Sequence, residues 1–179
     1  GAYEDPASTF LGLPFLHYLL PLLDLSVRPV PWLSNLVWRT VAEQDDLLYW
    51  SGRLSGMIGA SAPRELMSEY FHHVAGLDPA LAIRMAGALS EHSAQDLLPS
   101  IDVPTLILAG AKDVMTPPKL ATAMAEAIPG SRLEIHPDGA HTLPVDEPEW
   151  VDGLVAAFVA ELGRPKRRGR TRAKPSGAG

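Results

Sequence analysis

The clearest alternation of apolar and polar positions lies in the last third of the chain. Pro104-Thr-Leu-Ile-Leu-Ala109 is a continuous apolar and β-branched run of strand length that ends at Gly110, the pattern of a strand buried on both faces. Thr116 then offers a helix N-cap with Pro117 at the first helical position, and Leu120, Met124 and Ile128 recur at helical spacing beside Ala121 and Ala125. Pro129-Gly130 stops that helix. A second strand is predicted over Arg132–His136, where Leu133 and Ile135 alternate with polar neighbours. Asp146 and Glu149 form a D-x-x-E capping pattern ahead of a stripe of Val151, Leu154, Val155, Phe158, Val159 and Leu162. The order β-α-β-α predicts an α/β fold with parallel strands and right-handed crossovers.

Upstream the texture is helical and then irregular. Asp78-Pro79 starts a helix that places Leu81, Met85 and Leu89 on one face; another helix is predicted from Pro63 to Val74, and a further helical segment from Leu36 to Tyr49. Residues 1–62 mix Pro, Trp and apolar clusters without a clean period. The longest apolar run, Leu11 to Leu23, is interrupted by Pro14, His17 and Pro21. It falls short of the roughly 20 residues a spanning helix needs, so no membrane span is expected.

Composition narrows the chemistry. Cysteine is absent from the 179 residues, which excludes disulfides, thiolate zinc sites and a cysteine nucleophile. The net charge of −6 hides an asymmetry: residues 164–179 carry seven basic residues and no acid, whereas residues 1–163 hold 8 basic and 21 acidic residues. The acidic body argues against a specific nucleic-acid partner, and the basic tail has too little to bury to be anything but disordered. Lack of cysteine and of a basic leader points to the cytoplasm. Gly1 in place of an initiator Met reads as a chain that begins inside something longer.

In a parallel sheet, ligands collect beyond the carboxyl ends of the strands. Asp113 follows the first strand and His141 the second, so parallel neighbours would bring a carboxylate and an imidazole to one rim. Such a carboxylate accepts the Nδ1 proton, fixes the tautomer and stabilises the imidazolium formed when Nε2 takes a proton. Read singly, Asp113 is also an ordinary turn carboxylate and His141 an ordinary loop histidine. Read as a pair, 28 residues apart, they are candidate catalytic residues.

Here the chain resembles the α/β-hydrolase superfamily. Ile101-Asp-Val-Pro-Thr-Leu-Ile-Leu-Ala-Gly-Ala-Lys-Asp113 is similar to the segment ending in that family's triad acid, and Pro137-Asp-Gly-Ala-His141 to the one carrying its histidine. The resemblance implies a partial α/β-hydrolase fold: a core-to-cap loop at 1–9, a helical cap at 10–95, the carboxy-terminal part of the core at 96–163, and the tail at 164–179. It implies Asp113 as the triad acid and His141 as the base. Glu91-His-Ser-Ala-Gln-Asp-Leu-Leu98 is similar to the return from cap to core.

The chain departs from the family in lacking G-x-S-x-G. Gly59-Ala-Ser61-Ala-Pro63 is the nearest imitation, but no strand precedes it and Pro63 makes it a helix entry. Ser55 in Arg53-Leu-Ser-Gly56 fares no better. The nucleophile is therefore expected outside this chain, which alone would be inactive.

Other candidates have plainer readings. His136 is expected to be structural, His72, His73 and His92 surface or cap residues without metal spacing, Asp146, Glu147 and Glu149 helix-capping acids, and Asp45-Asp46 solvated. Trp32, Trp38, Trp50, Tyr49, Phe10, Phe15 and Tyr18 are expected mainly in the core, with some lining an apolar pocket.

The expected function is esterase- or lipase-like hydrolysis of a small apolar acyl substrate, with no metal or organic cofactor. Two alternatives remain open: an epoxide hydrolase or dehalogenase-type member with an aspartate nucleophile, and a non-catalytic fragment or binding protein of the same fold. The expected partner is a small ester-like molecule, with possible pairing through the sheet edge at Pro104–Ala109.

Overall fold

The computed structural model describes residues 29–91 and 93–163, together with Leu22 and Asp24. In chain order the elements are helices α1 (Pro31–Ala42), α2 (Asp45–Ser55), α3 (Arg64–Ala75) and α4 (Pro79–Glu91), a 3-10 turn (Gln95–Ser100), strand β1 (Leu106–Gly110), helix α5 (Pro118–Ala127), strand β2 (Arg132–His136), and helices α6 (Leu143–Asp146) and α7 (Pro148–Leu162). The expected loop at 1–9, Phe10, Phe15, His17, Tyr18, His92 and the tail at 164–179 lie outside the described residues.

The helical segment predicted from Leu36 to Tyr49 is two helices, parted at Glu43-Gln44. Asp45 and Asp46 occupy the first turn of α2, where the helix dipole favours negative charge and so favours a new start. They are not merely solvated. Asp45 accepts a hydrogen bond from the Ser68 hydroxyl and Asp46 pairs with Arg64, fastening α2 to α3. Between these helices Tyr49, Ile58, Ala62, Met67 and Phe71 form a buried cluster. The Tyr49 hydroxyl donates to the Ala62 carbonyl at 3.0 Å, and the Trp38 indole ties α1 to α3 through Val74 at 2.9 Å.

Not every apolar side chain found a core. Trp32 and Trp50 are 69% and 54% exposed, two exceptions to the expectation that the aromatic residues of this region lie mainly in the core. α4 starts as the Asp78-Pro79 pair predicts, since the Asp78 carboxylate accepts from the backbone N–H groups of Ala80 and Leu81. Its Leu81 and Met85 are nevertheless exposed.

β1 and β2 pair in parallel, with Leu106 opposite Arg132 and Gly110 opposite His136. β1 begins two residues later than its apolar run and takes in Gly110. Ile107 packs with Leu98 and Ile128 beneath α5, beside Ala121, Met124 and Leu133. Leu106 and Leu108 are only half-buried, so among the described residues the strand is covered on one face. Two capping expectations are corrected. α5 begins at Pro118 without a side-chain cap, because the Thr116 hydroxyl is drawn to Asp113 instead. α7 likewise has no side-chain cap, because Asp146 is turned inward and buried in α6. Part of the α7 stripe, Val155, Val159 and Leu162, is exposed. Among the described residues no helix is long and apolar enough to cross a membrane.

Candidate active site

The loops leaving the two strands are stitched together on one rim. The Ala111 N–H donates to the His136 carbonyl and the Lys112 N–H to the Gly139 carbonyl, both at 2.9 Å. Gly110 permits this approach, since a Cβ there would stand 2.3 Å from the Gly139 carbonyl oxygen. A parallel register and a bare glycine thus carry Asp113 and His141 to the same place. His141 Nδ1 lies 3.1 Å from Asp113 Oδ2.

Asp113 is held from several sides. Its Oδ1 accepts the backbone N–H groups of Met115 and Thr116, each at 2.8 Å, and its Oδ2 accepts the Thr116 hydroxyl at 2.6 Å. Burial opposes the charge and is the largest single influence on it. The hydrogen bonds from His141 and Thr116 together prevail, and the carboxyl titrates below its ordinary range. For His141 the hydrogen bond to Asp113, reinforced by the carboxylate charge, outweighs burial and lifts its titration above the ordinary histidine value. With Nδ1 committed to Asp113, the proton-accepting atom is Nε2, which bonds to no described residue.

His141 borders a cavity of about 870 Å³ between α2, α3 and the two loops. Leu48, Ile58, Leu66, Met67, Phe71 and Val145 make it largely apolar, while Met115, His141 and Thr142 approach it from the sheet side. Glu69 and His73 contribute charge-capable groups from α3. Among the described residues, no three His, Asp or Glu side chains converge as a metal site would require.

The other candidates fall elsewhere. Ser61 sits in the turn between α2 and α3, and its hydroxyl donates to Glu147 Oε1 at 3.0 Å rather than to His141. Ser55 borders the cavity but donates to the Gly52 carbonyl within its own helix. His136 is half-buried with its ring edge-on to Trp150, a structural setting as expected. His72 and His73 are exposed and bond to carbonyls one turn back in α3.

Three residues at the site escaped the sequence reading. Thr116 reads from the sequence as a helix start, although D-x-x-T is a spacing at which a side-chain turn can close on the carboxylate. Thr142 follows the histidine with no pattern to mark it. Asp146 reads from the sequence as a capping acid. In the structure the Thr142 hydroxyl donates to Asp146 Oδ1 at 2.7 Å and accepts the Gly59 N–H at 3.1 Å, joining the histidine loop to the helical segment.

Comparison with known proteins bears on the family and the fold. The sequence model of the α/β-hydrolase family described as TAP-like protein matches residues 82–171, half of the chain. A pimeloyl-(acyl-carrier protein) methyl ester esterase of Neisseria meningitidis is 35% identical over 72 residues, covering 40% of this chain and 28% of that protein. An esterase from Exiguobacterium antarcticum superposes with a TM-score of 0.51 at 26% identity, over 70% of this chain and 47% of the other. A hydrolase from Oleispira antarctica does so with a TM-score of 0.52 at 27% identity, over 71% and 46%. The chain spans about a third or less of the length of the curated relatives it matches, 36% in one case and 28% in another. The paired strand-end loops, the Asp–His contact and the family match lead to one statement: this chain belongs to the TAP-like protein family of α/β-hydrolases.

Proposed function

We propose that this chain supplies the acid–base pair and the cap of an ester hydrolase acting on a small apolar acyl substrate, with a serine nucleophile contributed from outside the chain. The observation that carries the reading is His141, held by Asp113 through Nδ1 and lining a largely apolar cavity. α1 to α4 act as the cap, and its lining accepts the acyl group. His141 Nε2 takes the serine proton as the oxygen attacks the ester carbonyl, then returns it to the departing alkoxide. In the second half-reaction Nε2 takes a proton from water, which attacks the acyl-enzyme, and gives it back to the serine oxygen as the acid leaves. Asp113 keeps the tautomer fixed and stabilises the transient imidazolium. The relatives named as esterases support an ester as substrate.

A fluorophosphonate probe tests the assignment. This chain alone is expected to stay unlabelled, and stoichiometric labelling at Ser61 would overturn the placement of the nucleophile. In a chain extended by the residues encoded upstream, hydrolysis of a short p-nitrophenyl ester is expected to fall by at least about 1,000-fold on His141→Ala and to survive Ser61→Ala. Unchanged hydrolysis in His141→Ala would refute the base.

A further inference from the structure

Asp146 is 5% exposed and one of its carboxylate oxygens, Oδ2, is buried without a hydrogen-bond partner. A half-satisfied buried carboxylate is costly, so its place calls for an explanation. Its other oxygen accepts the Thr142 hydroxyl at 2.7 Å, and Thr142 is the residue after His141. The same hydroxyl oxygen accepts the Gly59 N–H at 3.1 Å from the turn between α2 and α3. Gly59 fits only because it lacks a side chain: a Cβ there would lie 1.9 Å from Asp146 Oδ2. Carboxylate, hydroxyl and backbone amide thus form one chain of hydrogen bonds, in which the Thr142 hydroxyl accepts from Gly59 and donates to Asp146. It runs from α6 through the histidine loop to the helical segment.

We propose that Thr142 and Asp146 are positioning residues for His141, and that through Gly59 they couple the seating of the helical segment to the geometry of the Asp113–His141 pair. Asp113 fixes the imidazole from its Nδ1 side. Thr142 fixes the backbone that carries the ring, and Asp146 fixes Thr142. When α2 and α3 are seated, the Gly59 N–H completes the set; when they shift, Thr142 loses a partner and the histidine backbone is freed. This inference rests on the Asp113–His141 reading above. Charged groups of the site come from several elements: Asp113 from the β1 loop pairs with the imidazole, Asp146 from α6 bonds to its neighbour Thr142, and Glu69 and His73 from α3 line the same cavity. The loss of a hydroxyl must therefore be separated from the loss of a charge.

The test is the titration of the His141 ring, followed by NMR in the whole chain and assigned by the signal missing in His141→Gln. Thr142→Val removes the hydroxyl and keeps every charge; Asp146→Asn removes the charge and keeps an oxygen for Thr142; Thr142→Ser restores the hydroxyl. Thr142→Val is expected to return His141 toward the ordinary histidine range, Asp146→Asn to lower it less, and Thr142→Ser to match the parent. Should Thr142→Val fail to show folded far-UV circular dichroism, Thr142→Ala makes the same comparison without the added methyl. In the parent chain the Gly59 amide is expected to exchange slowly with solvent, and exchange at the rate of an open amide contradicts the proposal. A Thr142→Val titration equal to the parent's, or an Asp146→Asn fall larger than that of Thr142→Val, overturns it. A parent chain whose His141 titrates at the ordinary value refutes the Asp113–His141 pair instead.

Discussion

Replacing Asp113 separates what this carboxylate does for stability from what it does for the histidine. Asp113→Ala withdraws the acceptor from two backbone N–H groups, the Thr116 hydroxyl and His141 Nδ1. The imidazole and the hydroxyl reach solvent and can turn to water. The two backbone N–H groups have less freedom, and leaving both unsatisfied costs about 2–4 kcal/mol. Asp113→Asn keeps an oxygen for those N–H groups, so its cost is about 1 kcal/mol. Its amide nitrogen, however, faces His141 Nδ1 as a donor and reverses the imidazole tautomer. The signs of the pH dependence follow from the two titrations. Asp113 titrates low in the folded chain, so its contribution is present above about 3.8 and is lost as pH falls through the folded value. His141 titrates high, so its contribution is full below about 6.5 and is lost as pH rises through the folded value. Urea unfolding at several pH values should therefore show the gap between parent and Asp113→Asn widest between those limits and narrower on either side. Equal destabilisation by Asp113→Asn and Asp113→Ala, or a gap that does not vary with pH, would refute the reasoning.

Three further outcomes are expected. Gly110→Ala drives a Cβ to 2.3 Å from the Gly139 carbonyl oxygen, and because backbone must move, the loss should be about 3 kcal/mol by urea unfolding. Tyr49→Phe removes a buried 3.0 Å hydrogen bond to the Ala62 carbonyl and should cost about 1 kcal/mol, read as a small fall in Tm. In the upstream-extended chain, kcat/KM for ester hydrolysis should rise with pH through a group titrating above 6.5, because the base must be neutral and Asp113 raises it; a midpoint below 6.5 contradicts the assignment.

What the sequence revealed follows the strength of the local signals. The extent of the strand at Arg132–His136 and the start of the Asp78-capped helix appear as read, although Ile135, one of the alternating apolar residues, is exposed. The parallel pairing followed from the β-α-β order, and the Asp113–His141 contact followed from that pairing. The break at Glu43-Gln44 carries no glycine or proline and depends on α2 docking to α3 through Asp45 and Ser68. Thr116 and Asp146 each present a capping residue at a capping position. Side-chain partners three and four residues away, Asp113 for one and Thr142 for the other, outcompeted the helix ends. Which tryptophans stay exposed depends on which faces are covered, and no single helix encodes that.

The central claim is that Asp113 holds His141 by Nδ1 and leaves Nε2 as the base. The most direct measurement is the nitrogen NMR spectrum of the His141 ring in this chain, taken above its titration. A neutral ring with the proton on Nδ1 and a bare Nε2, changing to the opposite tautomer in Asp113→Asn, is the predicted result. A proton on Nε2 in the parent chain, unaffected by Asp113→Asn, would contradict the account.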